Sequence, residues 1–137
     1  MSSPALTADV VALTPASVLL IQRSREPFAG AWALPGGFVE AGERVHEAAA
    51  RELGEETAVE GVALELLGVY DTPGRDPRGP TVSVAYLCRC DRELTATGGD
   101  DAGDARWFAL SDLPPMAFDH AAIVADAISC AARGPRS

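Results

Sequence analysis

The chain has 137 residues, 47% of them hydrophobic, and carries a formal net charge of −9. This length and apolar content suit one core, so we expect a single domain over residues 1–137. The negative charge argues against nucleic acid polymers and membrane surfaces as partners, because their phosphates would be repelled. The sequence has neither a basic, apolar leader nor a run of eighteen apolar residues, and we therefore expect a cytoplasmic location.

The N-terminal quarter of the chain predicts two strands and a glycine-rich turn. Residues 6–13 and 17–22 are rich in Val, Leu and Ile, which is typical of strands. A polar loop over 23–30 then leads towards Gly36 and Gly37. These glycines allow tight turning and the close approach of a ligand to the backbone, and their carbonyl groups can reach a metal ion.

The next predicted element is a helix over residues 44–57, which places Glu52, Glu55 and Glu56 within an arc of about 100°. Like charges at this spacing weaken a helix unless they are compensated. The same stripe begins with the apolar Val45 and Ala48, so the carboxylates should face the body of the protein. A hard divalent cation such as Mg²⁺ is the natural counter-charge, and Mg²⁺ favours a phosphorylated substrate.

The C-terminal half predicts three strands and a second helix, separated by polar loops. The strands are expected over 62–70, 81–89 and 105–109, the loops over 71–80 and 91–104, and the helix over 119–132, capped by Asp119. The apolar strand over 81–89 is expected in the centre of the sheet. Mixed strands with two helices favour an α/β or α+β sandwich in which both helices cover a mixed sheet.

The first helix and the turn before it resemble the Nudix box, the motif of the Nudix hydrolase family. The matching residues are Gly37, Glu43, Arg51, Glu52, Leu53, Glu55, Glu56 and Val59. Ala58 departs from the motif, because it stands where the family has glycine just past the helix end. The flanks AWALPGGFVEAGE and DARWFALSDLP extend the resemblance over most of the chain. The resemblance implies an α/β fold, the Nudix-type α/β/α sandwich with a mixed β-sheet flanked by helices.

The resemblance also implies roles for the residues of the box. Glu52, Glu55 and Glu56 are the expected ligands of Mg²⁺, with Mn²⁺ as an alternative, and the carbonyl of Gly36 is a further predicted ligand. The predicted catalytic residues are Glu52, Glu55 and Arg51. Glu52 is also a candidate for activating water. Arg51 has a second interpretation, in which it orients the site through salt bridges.

Outside the box, the acidic loop GGDDAGD offers a general base, since an acidic loop residue after the central strands completes the site in related proteins. The candidates are Asp100, Asp101 and Asp104, and Asp101 is selected as a base or further ligand, with an ordinary solvated turn as the alternative for each. Glu40 is either a further ligand or a solvated loop residue. His120 is expected at the surface or in packing, and Trp32 and Trp107 in the core, with base stacking as the alternative.

The segment YDTPGRDPRGPTVSVAYL resembles Nudix hydrolases of the ADP-ribose pyrophosphatase type. Pro73, Arg75 and Arg78 in this segment are therefore predicted to bind substrate, and a surface role is the alternative for the arginines. The expected partner is a small nucleoside diphosphate derivative, with ADP-ribose as the first choice. A nucleoside-triphosphate pyrophosphohydrolase and a non-catalytic nucleotide sensor are the alternative functions, and the choice between monomer and homodimer stays open.

Overall fold

The computed structural model describes residues 3–98 and 102–134. Within these ranges the chain forms seven strands and two helices. They are β1 (Ala5–Leu13), β2 (Ser17–Arg23), β3 (Trp32–Ala33), β4 (Gly36–Phe38), α1 (Val45–Thr57), β5 (Glu65–Tyr70), β6 (Thr81–Arg89), β7 (Ala102–Ala109) and α2 (His120–Ala132). Neither helix, at 13 residues each, is long and apolar enough to cross a membrane.

The sheet divides at β1 and β2. Strand β1 runs parallel to β6 along its whole length, and β6 continues antiparallel to β5. Strands β1 and β2 are in register only at Leu13 and Val18, next to the turn that joins them. Further along, β1 pairs with β4, whereas β2 pairs with β3 and β7. The two halves of the sheet therefore form a fork that is closed at this turn.

Each face of the sheet buries its own apolar cluster under one helix. Because side chains alternate along a strand, neighbouring residues of β1 and β2 belong to different clusters. The first cluster packs against α1 and includes Ala8, Val10, Leu19, Ala48, Ala49 and Leu53. The second packs against α2 and includes Val11, Val18, Leu20, Ile123, Val124 and Ala127. A mixed sheet between two helical layers confirms the predicted α/β/α sandwich.

Most predicted elements are confirmed, and the differences are local. Strand β6 lies inside the sheet, between β1 and β5, as its apolar sequence predicted. The short strands β3 and β4 were not predicted, since two or three residues are too few for a periodic pattern. Strand β7 begins at Ala102, inside the predicted loop, and β5 begins at Glu65, later than predicted.

The C-terminus of α1 shows the conformation of Ala58, the residue that departs from the box motif. Ala58 is left-handed, with φ of 65° and ψ of 10°, and its N–H donates to the carbonyl of Gly54. The hydroxyl of Thr57 donates to the carbonyl of Leu53 at 2.6 Å and accepts from the Val59 N–H at 3.2 Å. The helix therefore ends in the conformation that glycine adopts most easily, while an alanine there carries the steric cost of its Cβ.

We expect Ala58→Gly to raise the free energy of unfolding by about 1 kcal/mol, because it removes the left-handed strain of a Cβ. Urea denaturation followed by circular dichroism measures this change. The matched control is Ala122→Gly, at an exposed position inside α2, which should lower the same free energy by about 1 kcal/mol. A loss of stability in Ala58→Gly would contradict the assignment of strain.

Candidate functional site

The fork between β1 and β2 opens into a cleft of about 240 Å³. One wall is formed by α1 and β4, and the opposite wall by the loop between β5 and β6 and the start of α2. The floor is formed by the N-terminal half of β1 together with β6. The cleft therefore brings together the Nudix-like helix and side chains from both halves of the sheet.

Two of the three predicted glutamates line this cleft. Glu52 and the half-buried Glu56 lie one turn apart on α1 and their carboxyl groups interact directly. The N–H of Gly36 donates to Glu56 Oε1 at 2.7 Å. Burial raises the pKa of Glu56 to about 8, against the lowering effect of this hydrogen bond, and the charges of Glu52 and Asp9 raise it further. At neutral pH the metal-free pair therefore retains a proton on Glu56, because burial disfavours two negative charges in this cleft.

Gly36 and Gly37 are required by their close approach to carboxylates. A Cβ built on Gly37 would lie 2.6 Å from Cδ of Glu52. A Cβ built on Gly36 would lie 2.2 Å from Oδ1 of Asp9 and 2.4 Å from the carbonyl oxygen of Ala8. The backbone of β1 leaves no room for a side chain at Gly36, whereas a side chain at Gly37 would displace the Glu52 carboxylate. Strand β4 therefore lies directly against the carboxylates of α1 and β1.

Arg51 organises the carboxylates on the outer side of α1. Its guanidinium donates to both oxygens of Glu43, at 2.7 and 3.1 Å, and to Glu52 Oε1 at 2.7 Å. It also donates to the carbonyl oxygen of Phe38 at 3.2 Å. These bonds raise the pKa of Arg51 and lower the pKa of Glu43. The geometry favours the interpretation in which Arg51 orients Glu52, since its donors are taken up by protein acceptors.

Glu55 and Glu40 are not brought into the cleft. The side chain of Glu55 is 59% exposed and lies 3.3 Å from Nη1 of Arg51. Glu40 is 69% exposed and lies 3.8 Å from the same guanidinium. In the described part of the chain, no three His, Cys, Asp or Glu side chains converge as a ready metal cluster. Attraction to Arg51 and repulsion from the buried pair both keep Glu55 outside, so its role as a ligand stays a prediction.

The floor of the cleft holds a buried carboxylate that the sequence analysis did not select. Asp9 is 5% exposed, and among the described residues its Oδ2 has no hydrogen-bond partner. Burial raises the pKa of Asp9 to about 7, although the charge of Arg75 and a hydrogen bond with Ser83 lower it. The one signal in the sequence was an aspartate inside the apolar run of β1.

His120 and Arg75 form the wall beside Asp9. His120 is buried, and its Nδ1 accepts a hydrogen bond from the Leu34 N–H at 2.9 Å. The Arg75 side chain is 4% exposed and donates to both oxygens of Asp119, at 2.6 and 2.9 Å, and to Ser83 at 2.8 Å. Asp119 is the N-cap residue of α2, as predicted, but its side chain makes no cap hydrogen bond and its carboxylate accepts from Arg75 instead.

Of the three residues predicted to bind substrate, two line the cleft and one does not. Arg75 lines the cleft with its donors engaged by Asp119 and Ser83. Arg78 lines the cleft, is 43% exposed and pairs with Asp76 at 2.8 Å. Pro73 lies in a separate depression with the loop that precedes β6 and does not line the cleft. All three substrate roles stay predictions.

The aromatic side chains at the cleft are phenylalanines, whereas neither tryptophan lines it. The Arg78 guanidinium lies 5.1 Å from the ring centre of Phe38 and 5.7 Å from that of Phe118. Trp32 packs against another ring, and Trp107 donates from Nε1 to a backbone carbonyl at 2.9 Å. The predicted base, Asp101, lies outside the described residues.

The arrangement of Glu52, Glu56 and Gly36 fits a hard divalent cation. The two carboxyl groups lie together in a partly dry cleft, where ionisation of both is costly without a cation. Oxygen ligands, negative charge and room for retained water or phosphate oxygens are the requirements of Mg²⁺ and Mn²⁺. Glu52 and Glu56 are therefore the residues in the cleft best placed to hold such an ion.

We expect Glu56→Gln to stabilise the metal-free protein at alkaline pH. The pKa of Glu56 in the fold, about 8, lies above its ordinary value. The folded protein therefore keeps this proton to a higher pH than the unfolded chain does. The stability that the protonated form contributes is present below the ordinary pKa and is lost as the pH rises through 8. Glutamine remains neutral, so the variant should have a higher Tm than the parent above about pH 8.

Calorimetric Tm values measured with a chelator from pH 5 to 9 test this expectation. The matched control is Glu93→Gln, since Glu93 is exposed and outside the cleft. Its Tm should follow the parent at every pH. Parallel curves for Glu56→Gln and the parent would contradict the assigned burial of charge.

The comparisons with known proteins agree with this geometry. The model of the NUDIX domain matches residues 3–127. An ADP-ribose pyrophosphatase from Methanocaldococcus jannaschii is 47% identical over 124 residues, which cover 90% of this chain and 72% of that protein. An ADPR responsive transcriptional repressor, NtrR, from Acinetobacter baylyi is 32% identical, and the match covers 86% of this chain but only half of the repressor.

Solved structures give the same result. The NUDIX domain of Shewanella oneidensis NrtR, complexed with ADP ribose, has a TM-score of 0.88 and 33% identity, covering 96% of this chain and 90% of that one. A bifunctional NMN adenylyltransferase/ADP ribose pyrophosphatase from Francisella tularensis, complexed with AMP and a Mn ion, has a TM-score of 0.84 and 31% identity, covering 91% of this chain and 41% of that one. With the box helix, the sandwich and the family model in agreement, this chain belongs to the Nudix family.

Proposed function

We propose that this protein is a metal-dependent Nudix hydrolase that cleaves the diphosphate bond of ADP-ribose to give AMP and ribose 5-phosphate. The observation that carries the proposal is the pair of Glu52 and half-buried Glu56 beside Gly36 in the cleft. The 47% identity to an ADP-ribose pyrophosphatase supports the choice of substrate. The broader class is hydrolysis of a nucleoside diphosphate linked to another group.

Glu52 and Glu56 would hold Mg²⁺ or Mn²⁺, with Glu55 and the carbonyl of Gly36 as proposed further ligands. When bound, such an ion neutralises charge on the diphosphate and lowers the pKa of a bound water. Glu56 must lose its proton to act as a ligand. Since burial raises its pKa to about 8, metal affinity should increase with pH across the neutral range.

The other residues of this wall hold the carboxylates in place. Arg51 fixes Oε1 of Glu52 at 2.7 Å, and the Gly36 N–H fixes Oε1 of Glu56 at 2.7 Å. The ordered carboxylates reduce the reorganisation needed when charge develops on the diphosphate. Glu52 and Asp101 are the proposed acceptors of the proton that the attacking water loses.

The substrate is expected to enter past Arg78 and the two phenylalanine rings beside it. Arg78 is the more exposed of the two arginines predicted to contact substrate, so it is the better candidate for binding a phosphate. Arg75 is engaged on both sides by Asp119 and Ser83, so we expect it to position the floor of the cleft. The cytoplasmic location and the choice between monomer and homodimer stay predictions.

We expect Glu56→Gln to lower kcat for ADP-ribose on the order of a thousandfold, because a charged ligand is lost with little change of shape. Glu55→Gln should also lower kcat strongly if Glu55 moves from Arg51 to the ion. Release of AMP in the presence of Mg²⁺ or Mn²⁺ measures both effects. Glu93→Gln, exposed and outside the cleft, is the matched control, and near-normal turnover by Glu56→Gln would remove the pair from the mechanism.

A panel of substrates tests the proposed specificity. It contains ADP-ribose, other nucleoside diphosphate sugars, dinucleotides and nucleoside triphosphates. AMP from ADP-ribose is the expected product. Release of pyrophosphate from a triphosphate, with ADP-ribose left intact, would instead identify a nucleoside-triphosphate pyrophosphohydrolase.

A sensor of ADP-ribose is the second candidate function. The match to the ADP-ribose-bound domain of the Shewanella oneidensis protein favours it. The complete set of box carboxylates favours hydrolysis instead. Binding of ADP-ribose without metal-dependent turnover would establish the sensor.

A further inference from the structure

We propose that Asp9 and His120 form a subsite for a hydroxyl group of a ribose that is attached directly to the diphosphate. The inference rests on the proposed function, because it assigns part of the substrate to the floor of the same cleft. It adds two residues that lie outside the Nudix box, Asp9 on the floor of the cleft and His120 in the wall beside it.

Asp9 supplies the acceptor. Its side chain is almost completely buried and lines the cleft. Within the described ranges Oδ2 has no hydrogen-bond partner, although an unpaired buried oxygen is costly. The Asp9 carboxylate also interacts with Ser83, and Arg75 donates to the same serine at 2.8 Å. The surrounding network therefore fixes Asp9 and leaves one buried oxygen unpaired. Because this oxygen is almost completely covered, a ligand reaches it only when the side chains around it move apart.

His120 supplies the donor. Its Nδ1 accepts the Leu34 N–H at 2.9 Å, which requires that Nδ1 carry no proton. Burial lowers the pKa of His120 to about 4, so the ring is neutral at pH 7 and its proton lies on Nε2. The Nε2–H group lines the cleft on the side of Asp9.

The two groups are spaced for a shared ligand. Nε2 of His120 lies 3.9 Å from Oδ2 of Asp9, which is too far for a direct hydrogen bond. One oxygen atom at about 2.8 Å from each can accept from Nε2–H and donate to Oδ2. A hydroxyl group does both. An ionised phosphate oxygen is an acceptor only and has no proton to donate to Oδ2, and a metal cation cannot accept from Nε2–H.

The position of Asp9 favours a ribose hydroxyl, and not the adenine base, as the group that it would bind. Gly36 donates to Glu56 Oε1 at 2.7 Å, and a Cβ on the same glycine would lie 2.2 Å from Oδ1 of Asp9. The acceptor is therefore separated from a proposed metal ligand by one backbone residue. A ribose lies between the diphosphate and the adenine in ADP-ribose, and a second ribose lies on the other side. Both riboses present hydroxyl groups at this short range.

A substrate and variant cycle tests the subsite. The substrates are ADP-ribose, an analogue deoxygenated on the adenosine ribose and an analogue deoxygenated on the terminal ribose. The variants are Asp9→Leu, which keeps a similar shape without an acceptor, and His120→Asn, whose amide oxygen can replace Nδ1 as acceptor for Leu34 without the Nε2 donor. Thermal unfolding confirms that each variant is folded.

We expect kcat/KM of the parent to fall about 10–100-fold for one analogue, mainly through KM. Either variant should lose a similar factor with ADP-ribose and lose little more with that analogue. The analogue that shows this coupling identifies the ribose. Thr81→Val is the matched control, since Thr81 lines the cleft and bonds to a backbone carbonyl, and its effect should be the same for all three substrates.

An equal loss of kcat/KM for all three substrates in both variants would overturn the subsite. It would indicate that Asp9 and His120 only bind water or only stabilise the fold. Calorimetric binding of the same three compounds to the metal-free protein keeps the two proposals distinguishable. Turnover of ADP-ribose without coupling overturns the subsite and keeps the hydrolase. Coupling in binding without turnover overturns the hydrolase and keeps the subsite.

Discussion

The organisation of this protein depends on the enforced proximity of carboxylates at the edge of a dry core. Glu52 and Glu56 lie together on α1, and the charge of Asp9 approaches them from β1. Arg51 and the Gly36 N–H offset part of the negative charge, yet the pKa of Glu56 stays high. Because ionisation of both carboxyl groups is costly without a counter-charge, a bound divalent cation would favour loss of the proton from Glu56.

The forked sheet makes this proximity possible. If β1 and β2 were paired along their full length, β4 could not lie against β1, and neither Gly36 nor Gly37 would approach the carboxylates. Divergence after Leu13 and Val18 opens the edge of β1 to β4 and leaves the cleft between the two halves. The absence of side chains on the two glycines then brings the backbone close to Glu52 and Asp9.

The sequence was sufficient for the sandwich and for one wall of the cleft. The glutamates of α1 stand out because they continue an apolar stripe, and a periodic pattern predicts such local relations well. The floor was not predictable in the same way. Whether Asp9 faces solvent or the cleft depends on the pairing of β1 with both β4 and β6, and the partner of Arg75 lies far along the chain at Asp119. The outward position of Glu55 likewise results from competition for Arg51.

The side chains on the two faces of the sheet have different chemical properties in the cleft. Glu52 and Glu56 belong to α1 and concentrate charge, whereas His120 belongs to α2 and supplies a neutral donor beside Asp9. Both groups reach one cleft because the fork exposes the edge between the faces. With the proposed subsite on the α2 side, substrate recognition could change without altering the carboxylates that are proposed to hold the ion. Such a separation allows one box motif to act on many diphosphate substrates, since the bond cleaved is shared while the attached groups differ.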